Sequence, residues 1–184
     1  MTPVRPRYAR IEQMTDGLLR EAQVAAPPVP IEKIVRAHGI AIRVMDLKDV
    51  SGLVVRDENV TVIGVNKTHA LTRRRFTVAH ELAHALLHQG KKIRYDKDFR
   101  VDFRSGTSSL GVDVEEMEAN FFAACILMPR RFLEADPLVA NLDLEDAAQT
   151  VKDLARRYAV SQHAMGIRLG NLAARTGTFA SALG

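Results

Sequence analysis

The chain has 184 residues, 47% of them apolar, and a formal net charge of +4. That length supports one substantial core with at most a small helical annex. The single cysteine, Cys125, excludes an internal disulfide, and the lack of any run of about 18 uncharged apolar residues argues against a membrane-spanning helix. Charges are scattered through MTPVRPRYARIEQMTDGLLREAQ, where a signal peptide needs an apolar stretch, so the expectation is a soluble, cytoplasmic protein with no membrane partner.

In chain order, residues 8–24 read as a helix that APPVP breaks, and IEKIVRAHG as a short second helix with Gly39 as its C-terminal cap. Three runs then have strand character: residues 40–47, 51–57 and 59–66. The tight RDEN link makes the last two an antiparallel hairpin. Residues 73–88 form a histidine-bearing helix with Thr72 as N-cap and Gly90 just past its end. From 91 to 113 the chain is polar, basic and glycine- and serine-containing, the pattern of a loop or flap. VEEMEANFFAACILM is the next helix, stopped by Pro129, and residues 143–174 read as wholly helical. The fold class expected is α+β: helices packed on a small, three-stranded, mostly antiparallel sheet in residues 1–135. A helical part, residues 136–184, packs on this core.

The stretch RRRFTVAHELAHALLHQG, residues 73–90, carries the chemistry. At about 100° per residue, Phe76, Ala79, Leu82, Ala83, Leu86 and Leu87 share one arc, which faces the core. His80 and His84 lie at its margin, one turn of about 5.4 Å apart, so both imidazoles can grip one cation from the same side. Glu81 is rotated by about 100° and is better placed for a water than for the metal. This is the logic of the His-Glu-x-x-His spacing: two neutral nitrogen ligands for zinc, and a base beside the water that zinc acidifies. His88, about 12 Å along the axis from His80, cannot share a metal with both and reads as a supporting or structural residue.

A catalytic zinc site needs a third protein ligand. On the next helix, Glu116, Asn120, Ala123 and Leu127 share a face, with Ala119 beside them, and small alanines permit close helix approach. Glu116 fits a ligand on that face. Asp113-x-x-Glu116 also fits a capping box that would fold Glu116 back on the helix start, while Glu115 and Glu118 point elsewhere on the wheel.

RRRFTVAHELAHALLH followed by EEMEANFFAACILMP resembles the ImmA/IrrE family of metallopeptidases, whose pattern joins an F-T-x-A-H-E-x-x-H helix to an E-x-x-A-N-x-F-A-A-x-x-L-M-P helix. PIEKIVRAHGIAIRVMDLKDVSGLVV and IGVNKTHALTRRRFT look like the family's leading helix, sheet and asparagine-ended strand, so the likeness spans roughly residues 28–133. It implies a zincin-like core in which His80, His84 and Glu116 hold zinc, with manganese as the alternative, and Glu81 is the catalytic base. It also implies a cytoplasmic zinc endopeptidase whose substrate partner is a helix-turn-helix repressor, cleaved to induce a mobile element, a phage or a stress response. An extended substrate could align along the strand ending at Asn66.

The remaining candidates are weaker. Tyr95 and His163 are available as oxyanion donors, with ordinary surface roles the plainer reading. Residues 151–173 resemble a helix-turn-helix unit with Ser161 as N-cap and Gln162, His163, Arg168 and Asn171 as polar contact groups. Lys152, Arg156, Arg157 and Arg168 against Asp153 make a modest charge, so DNA contact is less favoured than a scaffold or repressor-docking role. Arg73, Arg74 and Arg75 read as a solvated face, and Cys125 as a packing thiol. The rival function is a DNA-binding or protein-docking regulator with a vestigial or sensory metal site.

Overall fold

The computed structural model describes residues 5–58, 60–88, 93–96, 111–140 and 146–176. Their architecture is α+β. In order, the elements are α1 (Tyr8–Glu21), α2 (Ile31–Ala37), β1 (Ile40–Met45), β2 (Gly52–Asp57), β3 (Val60–Asn66), α3 (Leu71–Leu87), β4 (Ile93–Asp96), α4 (Gly111–Leu127), α5 (Arg130–Glu134), α6 (Pro137–Ala140), α7 (Ala147–Tyr158) and α8 (Gln162–Thr176).

The sheet has four strands in the order β1-β3-β2-β4, one more than expected. β2 and β3 form the anticipated antiparallel hairpin, with Val54 opposite Ile63. β1 lies parallel to β3, with Ile42 opposite Ile63. The added strand, β4, falls within the stretch read as a loop and pairs antiparallel to β2, with Leu53 opposite Tyr95. The alternation in Ile-Arg-Tyr-Asp lasts only four residues, too short to mark a strand within a polar stretch, and the edge of β2 supplies the hydrogen-bond partners that make it one. The strand ending at Asn66 is flanked on both sides, so it has no free edge to offer a substrate. Asn66 itself is buried and serves as a clamp. Its amide nitrogen donates to the Lys48 and Val50 carbonyls, both at 2.9 Å, and its amide oxygen accepts from Thr68 Oγ1 at 2.9 Å.

Helix α3 runs through the centre, against β2 and β3 on one side and α4 on the other. Every residue from Arg75 to His84 is buried, as befits a helix covered on several faces. Ala79 and Ala83 of α3 and Ala119 and Ala123 of α4 are fully buried, and side chains this small bring the two axes close enough for their polar groups to meet. α3 begins at Leu71, and its N-cap position is Ala70, with no side-chain cap rather than a Thr72 cap. At its other end the Arg56 guanidinium of β2 donates to the carbonyls of His84, which also accepts the His88 amide, and of His88, the latter at 3.1 Å, a cation placed where it complements the helix C-terminus. Gly39 follows α2 at φ +72°, a left-handed conformation suited to glycine.

Long-range polar contacts attach the C-terminal helices. Arg75 is buried rather than solvated, and it donates to the Val29 carbonyl at 2.7 Å and the Ala159 carbonyl at 3.2 Å. Arg168, also buried, donates to the Met128 carbonyl at 3.1 Å. Between α7 and α8, Ala159 takes a left-handed turn, and Ser161 Oγ accepts the Ala164 amide at 3.1 Å, the N-cap bond its position promised.

Candidate metal centre

One turn of α3 places His80 and His84 side by side, both fully buried. Their Nε2 atoms are 2.9 Å apart. From α4, Glu116 brings one carboxylate oxygen to 3.1 Å from His80 Nε2 and the other to 3.5 Å from His84 Nε2. Ligand atoms of all three lie within 4.8 Å of one another. α4 begins at Gly111, two residues before Asp113, and the Glu116 carboxylate turns to the imidazoles instead of to the helix start, so the capping-box alternative does not hold.

The donor set fits a divalent cation. His80 Nδ1 donates to the Asn120 amide oxygen at 3.1 Å, which leaves the Nε2 lone pair of a neutral ring facing inward. Burial, reinforced by the neighbouring His80 and Arg94 and opposed by Glu116, lowers the His84 imidazole to about 4, so this ring is neutral at pH 7. Burial opposes the charge on Glu116, but the imidazoles of His80 and His84 outweigh it and hold the carboxyl well below the usual carboxylate range. Two imidazole nitrogens and one ionised oxygen that lie within 4.8 Å of one another make a ligand set for a divalent cation.

Glu81 is fully buried on the flank of α3 that faces β2, its carboxylate pressed against Gly52. A Cβ built at Gly52 would lie 2.5 Å from Glu81 Oε1, so glycine there is required by close approach. A glycine inside a strand is the signal that could have pointed to it. Arg94 of β4 had no role in the sequence reading; it pairs with Glu115 at 2.5 Å and also with Glu116. His88 lies in hydrogen-bond contact with His84, Nδ1 to Nδ1 at 2.8 Å, and with Glu118 at 3.0 Å. Glu118 receives three bonds from Arg7, from its backbone amide at 2.7 Å, Nε at 2.9 Å and a terminal nitrogen at 2.6 Å. Burial opposes the Glu118 charge, yet the bonds from Arg7 and His88 hold its pKa down at about 2. Nothing in the local pattern around residue 7 announces this contact.

A profile of Peptidase_M78, the IrrE N-terminal-like domain, matches residues 35–170. The chain belongs to this family. No curated protein matches it. Among solved structures, it is similar to a Mycobacterium tuberculosis transcriptional regulator at 16% identity with a TM-score of 0.54, covering 87% of this chain and 55% of that one. The likeness is one of fold, and the chain spans little more than half the length of that neighbour.

On this IrrE N-terminal-like scaffold the other candidates fall outside the cluster or outside view. Tyr95 contributes backbone to β4, and its side chain lies outside the described residues, as does Gly90. His163 is exposed on the first turn of α8. Cys125 is buried, and desolvation pushes its thiol up to about 11, the behaviour of a packing residue. Among the described residues no helix is long and apolar enough to cross a membrane.

Proposed function

We propose that the chain is a zinc-dependent endopeptidase that hydrolyses a peptide bond in a helix-turn-helix repressor and so relieves repression. The observation that carries this reading is the convergence of His80 and His84 from α3 and Glu116 from α4, two helices that begin at Leu71 and Gly111, onto ligand positions within 4.8 Å. Membership of a metallopeptidase family supports it. Two imidazoles and one carboxylate favour zinc, with manganese as the alternative.

His80, His84 and Glu116 hold the metal, which when bound supplies Lewis acidity toward a peptide carbonyl and acidifies water. Glu81 takes the proton of the attacking water and delivers it to the leaving amine nitrogen. Its seat against Gly52 keeps the carboxylate from swinging away. Burial of all three α3 side chains keeps bulk water from screening the site. The outer edge of β4, whose Arg94 pairs with Glu116, is where an extended substrate segment adds by backbone hydrogen bonds.

Glu81→Gln tests the assignment. With a candidate helix-turn-helix repressor as substrate, the variant is expected to retain bound metal by elemental analysis and to lose cleavage. Full cleavage by the variant refutes the role given to Glu81, and wild-type protein that binds DNA in a salt-dependent manner without cutting the repressor favours a regulator instead.

A further inference from the structure

The contacts that link Arg7, Glu118, His88 and His84 converge on the Glu118 carboxylate, with Arg7 on one side and His88 on the other. An ionised carboxylate accepts and cannot donate, so the 3.0 Å contact between Glu118 and His88 places a proton on His88 Nε2. In the neutral ring the other nitrogen, Nδ1, then carries a lone pair. It faces His84 Nδ1 at 2.8 Å, so the proton of that bond sits on His84. What remains on His84 is the Nε2 lone pair, and Nε2 is the atom directed at His80 and Glu116.

We propose that Arg7, Glu118 and His88 form a buried positioning chain that sets the tautomer and ring angle of His84, so that cation affinity at the α3–α4 cluster depends on an arginine at the start of α1. This rests on the metal-site reading above and extends it. Glu118 and His88 are both buried, and neither touches the cluster's ligand atoms directly; each acts through the next. Arg7 is the anchor, since its three bonds hold the Glu118 carboxylate in place. On His80 an orienting bond goes to Asn120 of α4, a residue outside the Arg7–Glu118–His88 chain. Partners of this kind are commonly worth about 10–100-fold in metal affinity.

The test uses the full chain, with Zn²⁺ affinity measured by competition with a chromophoric chelator, the Co²⁺ absorption spectrum, and urea unfolding of the metal-free protein. His88→Leu removes the acceptor for His84 Nδ1 and is expected to weaken Zn²⁺ about 10–100-fold and to shift the Co²⁺ bands. His88→Asn keeps an amide oxygen near the position of Nδ1 and is expected to restore most of the affinity. Arg7→Ala is expected to weaken binding in the same direction, to a smaller degree. The proposal is overturned if His88→Leu binds Zn²⁺ as the wild type does. It is equally overturned if both His88 variants lose affinity only in step with metal-free stability while the Co²⁺ spectrum stays unchanged. Wild-type protein that binds neither ion overturns the metal reading itself, a result distinct from wild-type binding that the variants leave intact.

Discussion

Gly52→Ala puts one methyl group where the base and the sheet meet. β2 is held on both sides at this point, Gly52 lying opposite Val65 of β3 and Asp96 of β4, so the backbone cannot retreat. The new Cβ would fall inside contact distance of Thr77 Cγ2, and lie 2.5 Å from Glu81 Oε1 and 3.1 Å from Glu81 Cγ. Ordinary contacts begin near 3.5 Å, so the Glu81 carboxylate must move by roughly 1 Å. Overpacking of this kind costs about 1–3 kcal/mol, and the loss of glycine's freedom in the unfolded chain returns about 0.4–1 kcal/mol. The net expectation is a loss of about 1–2 kcal/mol, a fall in Tm of about 2–8 °C for a chain of this size. Displacing the base by this much is expected to lower repressor cleavage by about 100-fold, while Zn²⁺ affinity is preserved because His80 and His84 are untouched. Gly64→Ala is the control: its Cβ would meet Leu53 Cγ at 3.0 Å, Leu53 Cδ1 at 3.1 Å and Met45 Sδ at 3.2 Å, milder approaches than those at Gly52 and away from Glu81, so the loss is smaller and cleavage persists. Thermal unfolding and a cleavage time course read both variants. A Gly52→Ala protein with wild-type Tm and wild-type cleavage refutes the claim that this glycine seats Glu81.

The other expectations follow from single contacts. Gly17 sits inside α1 with nothing within 4 Å of a built Cβ, so Gly17→Ala is expected to raise stability by about 0.5–1 kcal/mol in urea unfolding; an unchanged or lower midpoint counts against it. Arg75→Met removes the bond to the Ala159 carbonyl and one of two to the Val29 carbonyl, which keeps the Ile31 amide, and is expected to cost about 1–3 kcal/mol, whereas a loss under about 0.5 kcal/mol shows that the clamp is dispensable. Cys125 keeps its proton in the native state up to about pH 11 and releases it near its ordinary value of 9.0 when unfolded. Stability from this group is therefore complete below pH 9 and declines by about 2–3 kcal/mol as the pH rises toward 11. Urea midpoints across that range, compared with Cys125→Ala, check the slope, and iodoacetamide at pH 8 is expected to label the thiol only after denaturant is added.

Periodicity made much of this protein legible before any coordinates. The 3.6-residue repeat located α1, α3, α4 and the C-terminal helices, the RDEN link announced the β2–β3 hairpin, and Gly39 and Ser161 marked helix ends through their own backbone and side-chain chemistry. The i, i+4 spacing of His80 and His84 requires only a helix to bring the imidazoles together, and the structure has them in contact. These are local properties, each set within a few residues of chain.

Tertiary contacts decided the rest. Glu115, Glu116 and Glu118 occur within four positions of α4, and their separate fates follow from what faces each: Arg94 for Glu115, the α3 imidazoles for Glu116, and Arg7 with His88 for Glu118. β4 exists as a strand because β2 has an edge to pair with, and β1 joins parallel rather than antiparallel for reasons of connection that no short run records. Arg75 reads as one cation in a surface triplet until carbonyls from residues 29 and 159 close around it. Helix period and turn chemistry are written in neighbouring residues, whereas a buried charge takes its meaning from partners that only the folded chain brings within hydrogen-bond reach.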